Sequence, residues 1–150
     1  MAKDYTAQLN ELIEVVIKEG ASDLHLTANS HPTIRVAGAL VPLMTQPTLT
    51  SEDTMGFARS LMREEFFALF TTDQEADFSY AYKDEVRFRG NTYIAQGSVG
   101  IALRLIPRTI KTIAELNLPP ILETFAQREQ GFFLCVGPVG QGKSTTLATI

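Results

Sequence analysis

The sequence predicts an α+β domain followed by the opening of an α/β unit. Three observations carry that expectation. Apolar residues recur at helical spacing near the start of the chain, a long series of segments then alternates at strand spacing, and the final stretch reads apolar run, glycine-rich turn, glycine-free run. Helices and strands come in blocks over most of the chain, which marks an α+β domain and not the strict alternation of a doubly wound sheet.

The first predicted element is a helix over 6–19. Leu9, Leu12, Ile13, Val16 and Ile17 fall on one face, and Gly20 follows as the C′ residue. Residues 22–26, 33–36 and 39–41 alternate or run apolar as strands, with Gly38 offering a turn between the last two. A second helical region opens at Thr50 or Ser51, with Glu52 and Asp53 placed where they favour the helix dipole. Its apolar residues include Met55, Phe57, Ala58, Leu61 and Met62, and Phe66, Phe67, Leu69 and Phe70 continue the pattern. Strands are expected over 77–82, 86–89, 91–96 and 99–106, with 83–85 as a polar hairpin turn. Phe78, Tyr80 and Tyr82 have strand spacing and read as packing residues.

Pro107 marks a junction, and 108–111 reads as a linker. Thr112 and Glu115 have the S/T-x-x-E spacing of a capping box, so a short helix is expected, stopped by Pro119 and Pro120. Pro120 then opens a helix in which Ile121, Leu122, Phe125 and Ala126 share a face. The run 132–136, Phe-Phe-Leu-Cys-Val, reads as a strand buried on both faces.

That strand leads into Gly137-Pro-Val-Gly-Gln-Gly-Lys-Ser144, which matches G-x-x-x-x-G-K-[ST] at every fixed position. The chemistry explains the residue types. Gly137, Gly140 and Gly142 let the backbone approach closely, so that successive N–H groups of the loop, which also holds Pro138, Val139 and Gln141, point at nucleotide phosphates. Lys143 supplies a charge for the β- and γ-phosphates, and the Ser144 hydroxyl is the expected protein ligand of Mg²⁺. Thr145 is expected in helix packing or in a supporting hydrogen bond. ATP and Mg²⁺ are therefore the implied cofactors. Hydrolysis also needs an acidic group near Mg²⁺ and a residue that orients water, both expected beyond Ile150. The 150 residues fit one domain plus the start of another, so the chain alone is expected to be inactive as an enzyme.

Composition narrows the classes. With 45% apolar and 20% charged residues the chain is globular, and a net charge of −4 gives no broad footprint for nucleic acid. Cys135 is the only cysteine, which excludes a disulfide framework and a cysteine zinc cluster; its apolar run suggests a buried, inert thiol. The N-terminal residues show no signal-peptide core, and no run approaches the ~20 apolar residues of a membrane span. An intracellular protein is expected, reaching membranes only through partners.

With these residues placed, the chain resembles the retraction ATPases of type IV pili, the PilT-like branch of the type II/IV secretion ATPases. The resemblance rests on ASDLHL at 21–26, VRFRGN at 86–91, ALRLIP at 102–107, ELNLPPIL at 115–122 and the P-loop followed by STTL, all in register. It implies a PAS-like N-terminal domain over 1–106, a linker over 107–112 and the start of a RecA-like ATPase domain over 113–150. It further implies a hexameric ring at the cytoplasmic face of the pilus base, working with inner-membrane platform proteins to power retraction and twitching motility. The family's Walker B strand and histidine motif would fall beyond Ile150.

One position departs from the family pattern. Gln96 stands where the family often has an arginine, so Arg87, Arg89 or Arg104 is the expected phosphate contact; all three alternate with apolar residues, as solvated sheet positions also would. Asp23 and His25 face away from Leu24 and Leu26, either as a catalytic pair or as polar groups on a strand's outer face, and His31 reads as a loop residue. Two other functions stay open at this point: a pilus-extension or type II secretion ATPase, and a non-catalytic module for ring contacts.

Overall fold

The structure is a computed structural model, and it describes residues 3–83, 86–106, 111–138 and 141–150. Residues 107–110 of the expected linker over 107–112, two P-loop positions at 139 and 140, and most of the 83–85 turn lie outside those residues. The chain divides into two compact units, Met1–Ile106 and Pro107–Ile150, here unit 1 and unit 2.

Unit 1 opens with helix α1, Tyr5–Lys18, whose N-terminus is capped by the Asp4 carboxylate accepting from the Ala7 N–H. Leu9, Leu12, Ile13 and Val16 are buried as the periodicity requires, whereas Ile17 lies at the margin of the apolar stripe and is 41% exposed. Strands β1 (Asp23–Thr27), β2 (Thr33–Val36) and β3 (Ala39–Pro42) follow, then helices α2 (Ser51–Leu61) and α3 (Glu64–Asp73). The expected single helical region is broken because Met62 and Arg63 both take extended backbone angles. A reciprocal box starts α2: Thr50 Oγ1 accepts from the Asp53 N–H, and Asp53 Oδ2 accepts from the Thr50 N–H.

Three long strands complete the unit: β4 (Glu75–Tyr82), β5 (Val86–Ala95) and β6 (Ser98–Ile106). All six strands form one antiparallel sheet in the order β3-β2-β1-β6-β5-β4. The two strands expected at 86–89 and 91–96 are one, because Gly90 stays in register between Leu103 and Phe78. Its lack of a side chain has a packing reason. A Cβ there would lie 2.3 Å from the Phe78 ring, so the ring fills the space a side chain would take. Gln96 is not in a strand; with Gly97 it forms the tip of the β5–β6 hairpin, both at positive φ, as two-residue hairpin turns favour.

Register assigns the faces. Ile34, Leu24, Leu103, Gly90 and Phe78 lie in one row across the sheet, on the side packed with α1, α2 and α3. Alternation therefore puts Arg35, Asp23, Arg104 and Arg89 in the adjacent row on the opposite side. Tyr82 belongs to the helix side, where its hydroxyl donates to Glu14 of α1.

Unit 2 has little interior. The Thr112–Glu115 box forms, with the Thr112 N–H donating to Glu115 Oε2 at 2.7 Å, but it starts only a run of turns over 113–117, ended by Asn117 at φ 52°. Helices α4 (Ile121–Ala126) and α5 (Lys143–Thr149) are short. The strand expected at 132–136 has no ladder partner among the described residues, and Phe132, Leu134 and Val136 are exposed. Cys135 is accordingly half-buried and not enclosed. A buried parallel strand exists only when neighbours cover it on both sides.

Candidate functional site

The P-loop motif lies at the start of α5. Gly142 is its N-cap residue, at φ 80°, where any L side chain would be strained; no side chain caps the helix. Lys143 turns back over the loop, and its Nζ donates to the carbonyl of Gly137 at 2.7 Å and to that of Pro138. The ammonium is thus held by the loop's own backbone. Neutral carbonyls are weaker partners for it than a phosphate oxygen, with which the bond is charge-assisted on both sides. This arrangement fits a nucleotide phosphate. Gly137, Gln141, Ser144 and Thr145 are exposed, so the expected packing role of Thr145 is not seen. Thr146 Oγ1 donates to the Gly142 carbonyl at 3.1 Å and supports the first turn.

For a metal ion the protein supplies less. Among the described residues no group of three His, Cys, Asp or Glu side chains is placed to hold one. Magnesium would rest on Ser144 and on the phosphates themselves.

The arginines suggested by the sequence belong to unit 1, and they differ in how they are held. Arg87 is exposed on β5, in register with Ala81 and Ile106. Arg89 makes a long pair with Asp77, 3.4 Å, both side chains largely exposed; such pairs contribute about 0–1 kcal/mol. Arg104 is anchored differently. Its Nε donates to Asp23 Oδ1 at 2.9 Å, and that carboxylate is almost fully buried. Ser22 Oγ donates to the other oxygen at 2.7 Å, and Arg35 Nε lies 3.4 Å from it. Burial opposes ionisation of Asp23, yet the hydrogen bonds from Ser22 and Arg104 and the Arg104 charge hold its pKa below the usual carboxylate value.

Asp23 and Arg104 share a concavity of about 250 Å³ on this open face with His25, Asp77, Arg89 and Asn91. Small-molecule sites span roughly 300–1,000 Å³, so this hollow is too small for a whole nucleotide. His25 contributes no Asp–His pair: burial lowers its pKa, outweighing the Asp23 charge, and its Nε2 is buried without a partner among the described residues. His31 is a loop residue, its Nδ1 2.7 Å from the Gln46 carbonyl.

The sequence marks the loop, the three arginines and Asp23, but not the bond from Arg104 to Asp23 across the sheet. The only signal was the shared outward phase of Asp23, Arg35 and Arg104 on separate strands. No helix among the described residues is long and apolar enough to cross a membrane.

Comparison with known proteins places these features in context. No protein-family model matches the chain. The chain is 33% identical to the type IV pilus ATPase PilU of Pseudomonas aeruginosa, over 95% of this chain and 37% of that protein. It is 34% identical to the same organism's type IV pilus retraction ATPase PilT, over 95% of this chain and 41% of that one. Among solved structures, the pilus retraction motor PilT with bound ADP superposes with a TM-score of 0.80 at 39% identity, covering 94% of this chain and 41% of that one. The ATPase DotB of Legionella pneumophila shares the fold, with a TM-score of 0.81 at 22% identity. The chain thus spans about two-fifths of the length of these relatives.

Proposed function

We propose, on the premise that the chain belongs to the PilT-like secretion ATPases over the portion it spans, that a complete protein containing it is an ATP-driven motor of type IV pilus retraction and twitching motility. The observation that carries this reading is the loop from Gly137 to Ser144, with Gly142 left-handed and Lys143 drawn over the loop carbonyls. When bound, ATP supplies the phosphoanhydride whose hydrolysis drives motion. The loop 137–142 would hold the phosphates through its backbone N–H groups, Lys143 would neutralise their charge, Ser144 would hold Mg²⁺, and Thr145 would make a supporting hydrogen bond.

Unit 1 serves as a PAS-like domain over 1–106, 107–112 as the linker, and 113–150 as the beginning of a RecA-like ATPase domain. Arg87, Arg89 and Arg104 are the candidate phosphate contacts; Gln96 has no charge and stands at a hairpin tip, so it does not replace the family arginine. The working assembly is a cytoplasmic hexamer at the pilus base, bound to inner-membrane platform proteins and not to nucleic acid. The 150-residue chain by itself binds nucleotide weakly and does not turn it over.

A strain carrying Lys143→Ala in the complete protein tests the reading. Extension without retraction should leave long surface pili and abolish twitching. Loss of surface pili would instead make the protein an extension ATPase, and unchanged twitching would remove it from pilus function. Titration of the 150-residue chain with Mg-ATP, using Lys143→Ala as control, completes the test: turnover by this chain, abolished in the variant, would contradict its assigned inactivity.

A further inference from the structure

We infer that Asp23 is a positioning residue for Arg104, fixing its guanidinium as an anion-binding fork on the open face of the unit 1 sheet. The inference rests on the phosphate-contact reading of Arg104 above. Three features support it.

The first is where the bond is made. Asp23 accepts from Nε, the inner nitrogen of the guanidinium, at 2.9 Å, while the Arg104 side chain is 73% exposed. Among the described residues no other hydrogen bond is made by this guanidinium. The two outer nitrogens are therefore presented together, the geometry with which arginine takes two oxygens of one phosphate or carboxylate. The second is the rigidity of the anchor. Asp23 is 6% exposed, fixed in the β1–β6 ladder opposite Arg104, and further held by Ser22 and by Arg35. An arginine loses several rotors when it binds an anion, and a prior anchor removes much of that cost. The third is contrast within the same row: Arg89, whose pair with Asp77 is long and open to water, has no such anchor.

The role differs from a structural one. Asp23 touches no reacting atom; it acts through Arg104. Its effect on turnover should therefore appear only while Arg104 is present.

Two readouts test this. In the 150-residue chain, the Nε–H proton of Arg104 should give an NMR signal protected from solvent exchange, identified by its loss in Arg104→Lys, and Asp23→Ala should abolish that protection. In a complete protein containing the chain, Asp23→Asn should lower kcat for ATP by about tenfold and Arg104→Ala by about a hundredfold. In the Arg104→Ala background Asp23→Asn should have no further effect. Arg104→Lys keeps the charge without the inner nitrogen, and should behave like Arg104→Ala; it carries the test even where Asp23 variants do not fold. An exchange-labile Nε–H in the unsubstituted chain, wild-type turnover of Asp23→Asn or Arg104→Lys, or equal losses from Asp23→Asn with and without Arg104 would each overturn the inference. Lys143→Ala and Arg104→Ala separate it from its premises. If Lys143→Ala hydrolyses ATP normally the nucleotide reading fails; if Arg104→Ala is unimpaired the phosphate-contact reading fails; if both are impaired while Asp23→Asn is not, only the positioning role fails.

Discussion

Phe88 and Phe132 both sit in apolar, strand-prone runs, yet Phe88 is fully buried in unit 1 whereas Phe132 is 89% exposed in unit 2. Phe88 pairs in register with Tyr80 and Leu105, inside a sheet covered by helices. No strand among the described residues pairs with Phe132. Local pattern proposes a strand; neighbours decide whether it becomes one. The same contrast holds for helix starts. The boxes at Thr50–Asp53 and Thr112–Glu115 are both hydrogen-bonded, but only the first is followed by a helix with buried residues, α2 with Phe57, Ala58 and Leu61. A cap satisfies donors at a helix end, and packing supplies most of the stability beyond it.

The largest expected consequence is in solution behaviour. An unpaired apolar run is an aggregation site. Removing 107–150 should leave a folded unit 1 with a higher soluble fraction after heating and centrifugation, and equal solubility would break the contrast. Next in size, Phe88→Ala should cost about 3–5 kcal/mol in a urea melt followed by circular dichroism, while Phe132→Ala should stay within about 0.5 kcal/mol. Similar losses for both would mean that 132–136 has a core the account does not give it.

Gly90→Ala sharpens the comparison inside unit 1. Its Cβ would collide with the Phe78 ring, which is 6% exposed and packed in the core. Destabilisation of about 1–3 kcal/mol is expected, relieved in part by Phe78→Leu. A neutral Gly90→Ala would show that the ring moves freely.

The smallest effects concern the cap. Thr50→Ala should cost about 1 kcal/mol, and Thr112→Ala less, since no helix follows it. Asp53 adds a pH dependence. Burial disfavours its charge, but bonds from Lys3 and from the Thr50 amide and hydroxyl bring its pKa down to about 2 from 3.8. A carboxylate depressed in the folded state stabilises above its unfolded pKa, so the Asp53 contribution should be intact above pH 4 and fade as pH falls toward about 2. Asp53→Asn should flatten that part of the acid melting curve; an unchanged curve would place the acid sensitivity elsewhere.

How much of this was legible beforehand depends on how local the determinant is. The P-loop is local, since Gly142, Lys143 and Ser144 are adjacent and their residue types state the chemistry. Helix α1 was legible because one apolar face repeats through it, although Ile17, at the margin of that face, is exposed. The continuity of β5 through Gly90 was not legible, because the reason is the ring of Phe78 on another strand. The break between α2 and α3 was hidden by apolar residues that continue across Met62 and Arg63. Least legible was the Asp23–Arg104 bond, whose partners are 81 residues apart and meet only once β1 and β6 pair.

The central claim is that Lys143 serves a nucleotide site in a working motor. ATP hydrolysis by a complete protein containing this chain, compared with its Lys143→Ala variant, tests it most directly. The account predicts magnesium-dependent turnover that falls by about a hundredfold or more in the variant while the fold is kept. Turnover unchanged by the substitution, or a folded complete protein with no turnover at all, would contradict it.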